Sequence, residues 1–126
     1  MYSIQELLDR VNNNKPEDIF IDEMPRGWCI AFGKQMVLEL ADILEKENFT
    51  DKYTLIQAKE KFGMIRWYDN FNPSIKEYDE WLNKYEKLSA VTCAGCGEPA
   101  TKISQSWICP WCDVCAEDIH DSFKEI

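Results

Sequence analysis

The sequence predicts an α+β fold in which helices pack on a β-hairpin and a small cysteine-rich module follows. Apolar residues recur at helical spacing in three segments, and a stretch rich in β-branched and aromatic residues lies between the second and the third. In addition, five of the six cysteines lie between positions 93 and 115. A chain of 126 residues is long enough for one domain, which we divide into a body, residues 1–92, and a module, residues 93–126.

The first helix is predicted to begin at Ser3, because Ser3 and Glu6 match a capping box and apolar residues follow at helical spacing. Three asparagines, residues 12–14, and Pro16 mark its end. Residues 17–26 hold an apolar triplet between acidic pairs. This composition indicates a short extended segment at a sheet edge.

The longest periodic run, residues 27–47, predicts the main core helix, and Pro25 suits its entry. Gly33 lies inside it and costs about 1 kcal/mol relative to alanine, so we expect another element to pass close to this position. Cys29 is predicted to be an inert buried thiol rather than a metal ligand.

Residues 53–68 predict a β-hairpin with a turn at residues 60–63. Alternation assigns one face to the core beneath the long helix. That face is expected to carry Ile56, Ala58, Ile65 and Trp67.

The opposite face of the hairpin is expected to form a basic patch edged by an aromatic residue. Its members are Lys59, Lys61, Arg66 and Tyr68. In an acidic chain such a patch suits an anionic ligand or an acidic partner. The alternative is a solvated face that neighbouring acids balance.

A third helix is predicted to start at a second capping box, Ser74 and Glu77, and to run nearly to Thr92. Its buried stripe is Ile75, Tyr78, Leu82, Tyr85 and Leu88. This helix would deliver Cys93 to the module.

Two Cys-x2-Cys pairs, Cys93/Cys96 and Cys112/Cys115, are separated by fifteen residues. This spacing lets four thiolates converge tetrahedrally on one Zn²⁺ ion, so we predict a single structural zinc. Gly95 and Gly97 are expected to supply positive φ angles in the turn around the first pair.

The order of elements in the module predicts a treble-clef zinc finger, with a zinc ribbon as the alternative. A knuckle at residues 93–97 precedes a short hairpin through residues 100–108, and a helix begins at the second pair. That helix is predicted to continue toward the chain end, because Ile119, Phe123 and Ile126 recur at intervals of four and three.

Other ligand sets stay open from the sequence. Cys109 pairs with Cys112 at the same spacing and would leave Cys115 free, although Pro110 interrupts that pair. His120, the single histidine, is an alternative ligand, and the Cys-Pro-Trp-Cys run at residues 109–112 allows a redox interpretation.

The formal charge of −9 argues against nucleic acid as a direct ligand, because phosphate contacts need lysines and arginines. Strong acidity instead suits docking on a basic surface. The clustered cysteines favour a reducing compartment, and the sequence has no apolar leader and no membrane-spanning run. We therefore expect a cytoplasmic protein without membrane contact.

The chain resembles a family of small proteins found in bacteriophages, prophages and bacteria. The resemblance covers roughly residues 27–115 and is carried mainly by Gly27-Trp28, by Gln57-Ala-Lys-Glu-Lys-Phe-Gly-Met-Ile-Arg-Trp-Tyr68, by Tyr85-Glu86 and Ser89, by Trp107 and by the two cysteine pairs. It implies a zinc site at the cysteine pairs and favours Cys112/Cys115, because the family does not usually have a cysteine at the position of Cys109. It also implies an accessory protein of a virus or mobile element.

Three functions follow as hypotheses. The first is a non-catalytic, zinc-stabilised protein that binds and modulates a host protein, as an inhibitor or anti-defence factor, in the host cytoplasm. The aromatic pairs Trp67/Tyr68 and Trp107/Trp111 would anchor such an interface, although the second pair would equally serve as a roof over the metal.

The second hypothesis is sequestration of a small anionic ligand, such as a signalling nucleotide, by the basic hairpin face. The third is a nucleic-acid-processing enzyme, which is disfavoured because four cysteines close the zinc coordination shell and the chain has one histidine. Self-association is left open.

Overall fold

The computed structural model describes residues 1–126, and its first helix, α1 (Ile4–Asn12), has the predicted boundaries. The Glu6 amide donates to Ser3 Oγ at 3.1 Å, and the Ser3 amide donates to Glu6 Oε1 at 3.3 Å. The predicted capping box is therefore confirmed. The buried face of α1 packs against the long helix.

The predicted long helix is confirmed as a continuous run of α2 (Arg26–Trp28), a π-helical stretch (Cys29–Gly33) and α3 (Lys34–Lys46). The π-helical stretch was not predicted. A Cβ atom on Gly33 would lie 3.1 Å from Ile21 Cδ1, so the expected close approach is confirmed.

Between α1 and α2, a short 3-10 turn (Pro16–Asp18) leads into a segment that touches the sheet edge. The Glu23 amide donates to the carbonyl oxygen of Ala58 at 3.0 Å. Asp22 Oδ2 also accepts a hydrogen bond from the Ala58 amide at 2.8 Å. The backbone pairing is a single bridge rather than a strand, so the predicted extended edge segment is reduced to these two contacts with β1.

The predicted hairpin is confirmed as β1 (Leu55–Lys61) and β2 (Met64–Asp69), joined by the two-residue turn Phe62–Gly63. The inward placement of Ile56 was wrong. A β-bulge between Leu55 and Gln57 shifts the alternation by one residue, so Leu55 is buried and Ile56 is half exposed.

Helix α4 (Lys76–Ser89) packs on β2 and α3, and the predicted capping box at Ser74 was wrong. Ile75 occupies the N-cap, and no side chain caps the helix. The helix ends at Ser89, whose hydroxyl oxygen accepts a hydrogen bond from the Ile65 amide at 3.0 Å. Leu88, placed in the predicted buried stripe, is exposed.

Aromatic residues join the hairpin to α4 at the centre of the body. Trp67 and Trp81 meet edge to face with ring centroids 5.6 Å apart. One Asp69 carboxylate oxygen accepts hydrogen bonds from Trp67, Tyr53 and Tyr78. Trp67 is therefore a core residue, and its predicted role as a surface anchor was wrong.

The module holds a three-stranded antiparallel sheet in the order β4–β3–β5 and a one-turn helix. Its elements are β3 (Lys102–Ser104), β4 (Cys109–Trp111), α5 (Asp113–Ala116) and β5 (Phe123–Glu125).

The predicted long C-terminal helix was wrong. The chain turns back after α5, and β5 pairs with β3, with Phe123 opposite Ser104. Backbone hydrogen bonds, such as the one from the Gln105 N–H to the Ser122 carbonyl at 3.0 Å, replace helical ones.

No helix of the chain combines the length and the apolar character that a bilayer-spanning segment needs.

Candidate metal centre

The structure brings the four predicted thiols together. The sulfur atoms of Cys93, Cys96, Cys112 and Cys115 all lie within 4.8 Å of one another, and the Cys96 and Cys112 sulfurs are 3.6 Å apart. Tetrahedral coordination with metal–sulfur bonds of about 2.3 Å places sulfurs about 3.8 Å apart. The cluster can therefore hold one metal ion.

The first pair lies in a tight turn that two glycines permit for different reasons. Gly97 has φ +87°, and its amide donates to the Cys93 carbonyl at 3.0 Å, so it has the predicted left-handed conformation. Gly95 has no positive φ. Instead, a Cβ atom there would lie 3.1 Å from Cys115 Sγ, so glycine is needed for close approach of the second pair.

The second pair lies at the start of α5. Cys112 is the N-cap, and its sulfur accepts a hydrogen bond from the Cys115 amide at 3.4 Å. A helix of one turn is enough to aim both thiols at one point, because the N-cap and the third helical residue lie on the same side of that turn.

The environment of Cys93 favours its thiolate, which is the form that binds a metal ion. Burial raises the pKa of Cys93, but hydrogen bonds from the backbone N–H groups of Cys112, Cys96 and Gly95 outweigh burial and lower this pKa to about 7. For Cys115, burial and the neighbouring Cys112 thiol raise the pKa. A bound cation would reverse that preference by stabilising the thiolate.

The remaining cysteines and the histidine lie outside the cluster. Cys29 is buried, as predicted, and Cys109 is 2% exposed under the hairpin turn. Burial, together with the charges of Glu60 and Cys93, raises the pKa of Cys109 to about 12. His120 is exposed and lines a cleft beside Trp107 and Trp111.

The cluster is anchored to the body at the start of the long helix. The Gly27 amide donates to the Ala94 carbonyl at 2.8 Å, and a Cβ atom on Gly27 would lie 2.2 Å from the Cys93 carbonyl oxygen. The Trp28 indole donates to the Thr92 carbonyl at 2.9 Å. Sequence reasoning missed this contact; only the resemblance singled out Gly27-Trp28.

The predicted basic face forms on the open side of the hairpin. Pairing places Lys59 opposite Arg66, with Tyr68 on the same face opposite Gln57. Lys59, Lys61 and Arg66 form none of the ion pairs of the molecule. Lys61 lies instead over the ring of Phe62, 5.6 Å from its centroid.

Lys59 and Trp111 meet in a cleft of about 380 Å³ between β1 and the module. Glu23, Glu60 and Trp107 also line this cleft, whereas Lys61, Arg66 and Tyr68 do not. The Trp111 ring also approaches the first cysteine pair, since its Cζ3 atom would lie 3.5 Å from a Cβ atom on Gly95.

A second feature missed from the sequence is an exposed apolar patch that we call the turn patch: Phe62, Trp107 and Ile108, with 65%, 66% and 42% of their surface exposed. The turn rests on the loop before β4, since a Cβ atom on Gly63 would lie 3.4 Å from Ile108 Cγ2. Glu60 ties the two together by accepting hydrogen bonds from the Gly63 amide at 2.8 Å and the Trp107 indole at 3.0 Å.

Comparison with protein-family models, curated proteins and solved structures finds no match for this chain. The resemblance to a phage and bacterial family therefore stays a prediction.

Proposed function

We propose that this chain is a zinc-stabilised binding protein without catalytic chemistry of its own, and that it acts by docking on another protein. The observation that carries the proposal is the turn patch. Monomeric proteins rarely leave large apolar side chains contiguous and exposed without a use for them.

Zinc is the metal that best suits the cluster. Four thiolates close enough for tetrahedral coordination favour Zn²⁺ or iron. We also propose that the module, in which a knuckle, a hairpin and a short helix follow one another, is a treble clef, which is a zinc-binding arrangement. Cys93, Cys96, Cys112 and Cys115 would fill all four positions and leave none for a substrate or an activated water. A coordination shell filled by four protein thiolates supports a structural role for the metal ion.

The backbone at Phe62 supports a functional use of the turn patch. Phe62 has φ +54°, the left-handed region, where residues other than glycine, asparagine and aspartate are disfavoured by about 1–2 kcal/mol. Asparagine would suit this two-residue turn better. Phenylalanine therefore costs stability here while presenting its ring to solvent, as expected for an interface anchor.

Capture of a small anion is the second candidate, supported by the unpaired cations Lys59, Lys61 and Arg66. The cleft that Lys59 lines opposes it, because Glu23 and Glu60 line the same space and repel an anion. A protein partner is therefore favoured. That the partner belongs to a phage host rests on the family resemblance alone.

The experiment compares tagged wild-type protein, Phe62→Asn and Phe20→Asn by native mass spectrometry after capture from a lysate of its host cell. Phe20 is a matched control, because it is also 65% exposed but lies away from the turn patch in sequence and has no positive φ. We expect a protein held by the wild type and by Phe20→Asn and lost from Phe62→Asn. A partner that Phe62→Asn retains in full would overturn the proposal.

A further inference from the structure

We infer that the cleft beside Trp107 receives an arginine side chain of the partner protein. This inference rests on the proposed function, because it names the anchor that such a partner would supply. The cleft lies between β1 and the first cysteine pair and measures about 380 Å³.

The walls of the cleft suit a flat cation. Trp107 and Trp111 contribute indole rings, and Trp107 is 66% exposed. Indole is the best of the aromatic rings at attracting a cation placed over its face. A guanidinium group is planar and weakly hydrated, so it stacks on such rings better than a lysine ammonium does.

Two carboxylates line the same space. Glu60 is held by the Trp107 indole and the Gly63 amide, which fix its position. Glu23 is exposed, and its side chain has neither a hydrogen bond nor an ion pair, although its backbone pairs with β1. Its carboxylate is therefore free to accept a bidentate hydrogen bond from a guanidinium group.

The surroundings extend the same charge preference. A second cleft against Trp107 and Trp111 is lined by Asp118 and Asp121. With Glu23 and Glu60 in the first cleft, the two clefts contain four carboxylates, whereas Lys59 supplies their one ammonium group. This local balance and the chain charge of −9 both favour a basic segment over an acidic one.

Lys59 is the one cation that lines the proposed arginine-binding cleft beside Trp107, and it forms no ion pair. Its ammonium would compete with an incoming guanidinium by like-charge repulsion. Two variants should therefore act in opposite directions: Glu23→Gln weakens arginine binding, and Lys59→Met strengthens it.

The test titrates the metal-loaded protein with the acetylated and amidated tripeptide Gly-Arg-Gly and follows the tryptophan indole resonances by NMR. A citrulline tripeptide has nearly the same shape without the charge, and a glutamate tripeptide reports anion binding. Trp28, Trp67 and Trp81 are buried and serve as internal references. We expect saturable shifts at Trp107 and Trp111 with arginine and at least about ten-fold weaker binding of citrulline.

Glu23→Gln should weaken arginine binding about three- to ten-fold, whereas Glu80→Gln, at an exposed position of α4 that lines neither cleft, should leave it unchanged. Equal binding of arginine and citrulline, no effect of Glu23→Gln, or tighter binding of glutamate that Lys59→Met abolishes would each refute the arginine site. If the site fails while Phe62-dependent capture persists, the proposed function stands. If arginine binds but no partner depends on Phe62, the proposed function fails instead.

Discussion

Replacing Phe62 with asparagine removes one of the two exposed aromatic rings of the turn patch and relieves the backbone at the same time. Phe62 and Gly63 have φ angles of +54° and +79°, so both central residues of the turn are left-handed, as a type I′ turn requires. Asparagine followed by glycine is the favoured pair in such turns. The substitution should therefore stabilise the fold while weakening the proposed interface.

The magnitude follows from comparison with Phe20→Asn. Both phenylalanines are 65% exposed, so the small loss of apolar burial is nearly the same in the two variants and cancels in their difference. What remains is the left-handed penalty of Phe62, about 1–2 kcal/mol, reduced by its contact with Lys61. We expect Phe62→Asn to exceed Phe20→Asn in free energy of unfolding by about 1 kcal/mol.

The assay is urea unfolding of the metal-loaded proteins, followed by circular dichroism, together with thermal melting. A difference of about 1 kcal/mol corresponds to about 4 °C in melting temperature for a chain of this size. If Phe62→Asn is less stable than Phe20→Asn, the ring of Phe62 is packed into the fold, and the argument that it is held outward for a partner is refuted.

Three further predictions concern the metal module and its junction with the body. Gly27→Ala should destabilise the protein by more than about 3 kcal/mol in urea unfolding, because its Cβ would overlap a backbone carbonyl oxygen at 2.2 Å. Gly33→Ala should change stability by less than about 1 kcal/mol, because the nearest atom to its Cβ is a flexible Ile21 methyl at 3.1 Å and the next two lie at 3.6 Å. Equal losses in the two variants would contradict the described junction. Trp28→Phe should cost about 1–3 kcal/mol in the same assay, since it leaves the buried Thr92 carbonyl without its donor, and an unchanged midpoint would show that this hydrogen bond contributes nothing. Because ligation requires thiolates, acidification from about pH 7 to about pH 4 should release the metal with loss of module structure, as measured by a chromogenic chelator, and retention at about pH 4 would exclude a four-thiolate site.

The parts of the fold that the sequence predicted depend on short-range patterns. Ser3 and Glu6 form their capping box because both partners lie within one turn, and the cysteine pairs converge because their spacing leaves few other geometries. These features need no knowledge of what packs against them.

The predictions that were wrong concern residues whose conformation depends on segments distant in the sequence. Ile119 and Phe123 have helical spacing, yet backbone bonds to β3 are available to this segment and stabilise a strand instead. Ile56 turns outward because a bulge interrupts the ladder next to the bridge between Tyr2 and Leu55. No local sequence pattern predicts the pairing with β3 or the bridge to Tyr2.

The same reason explains what was missed at the candidate docking surface. Trp107 donates a hydrogen bond to Glu60, which lies 47 positions away in sequence. Gly27 donates to Ala94, and the whole hairpin and α4 lie between these two residues in the sequence. The sequence identified Lys59 and Trp111 separately, but only the fold places them in one cleft with Glu23. Surface sites assembled from several elements depend on tertiary contacts that periodicity does not encode.

The central claim is that four particular thiols close around one metal ion that stabilises the module. Native mass spectrometry with elemental analysis of freshly prepared, reduced protein tests it most directly. We predict one zinc per chain in the wild type and in Cys109→Ala, and none in Cys112→Ser, whose module should unfold. Wild-type protein without metal, or zinc kept by Cys112→Ser and lost by Cys109→Ala, would contradict the account.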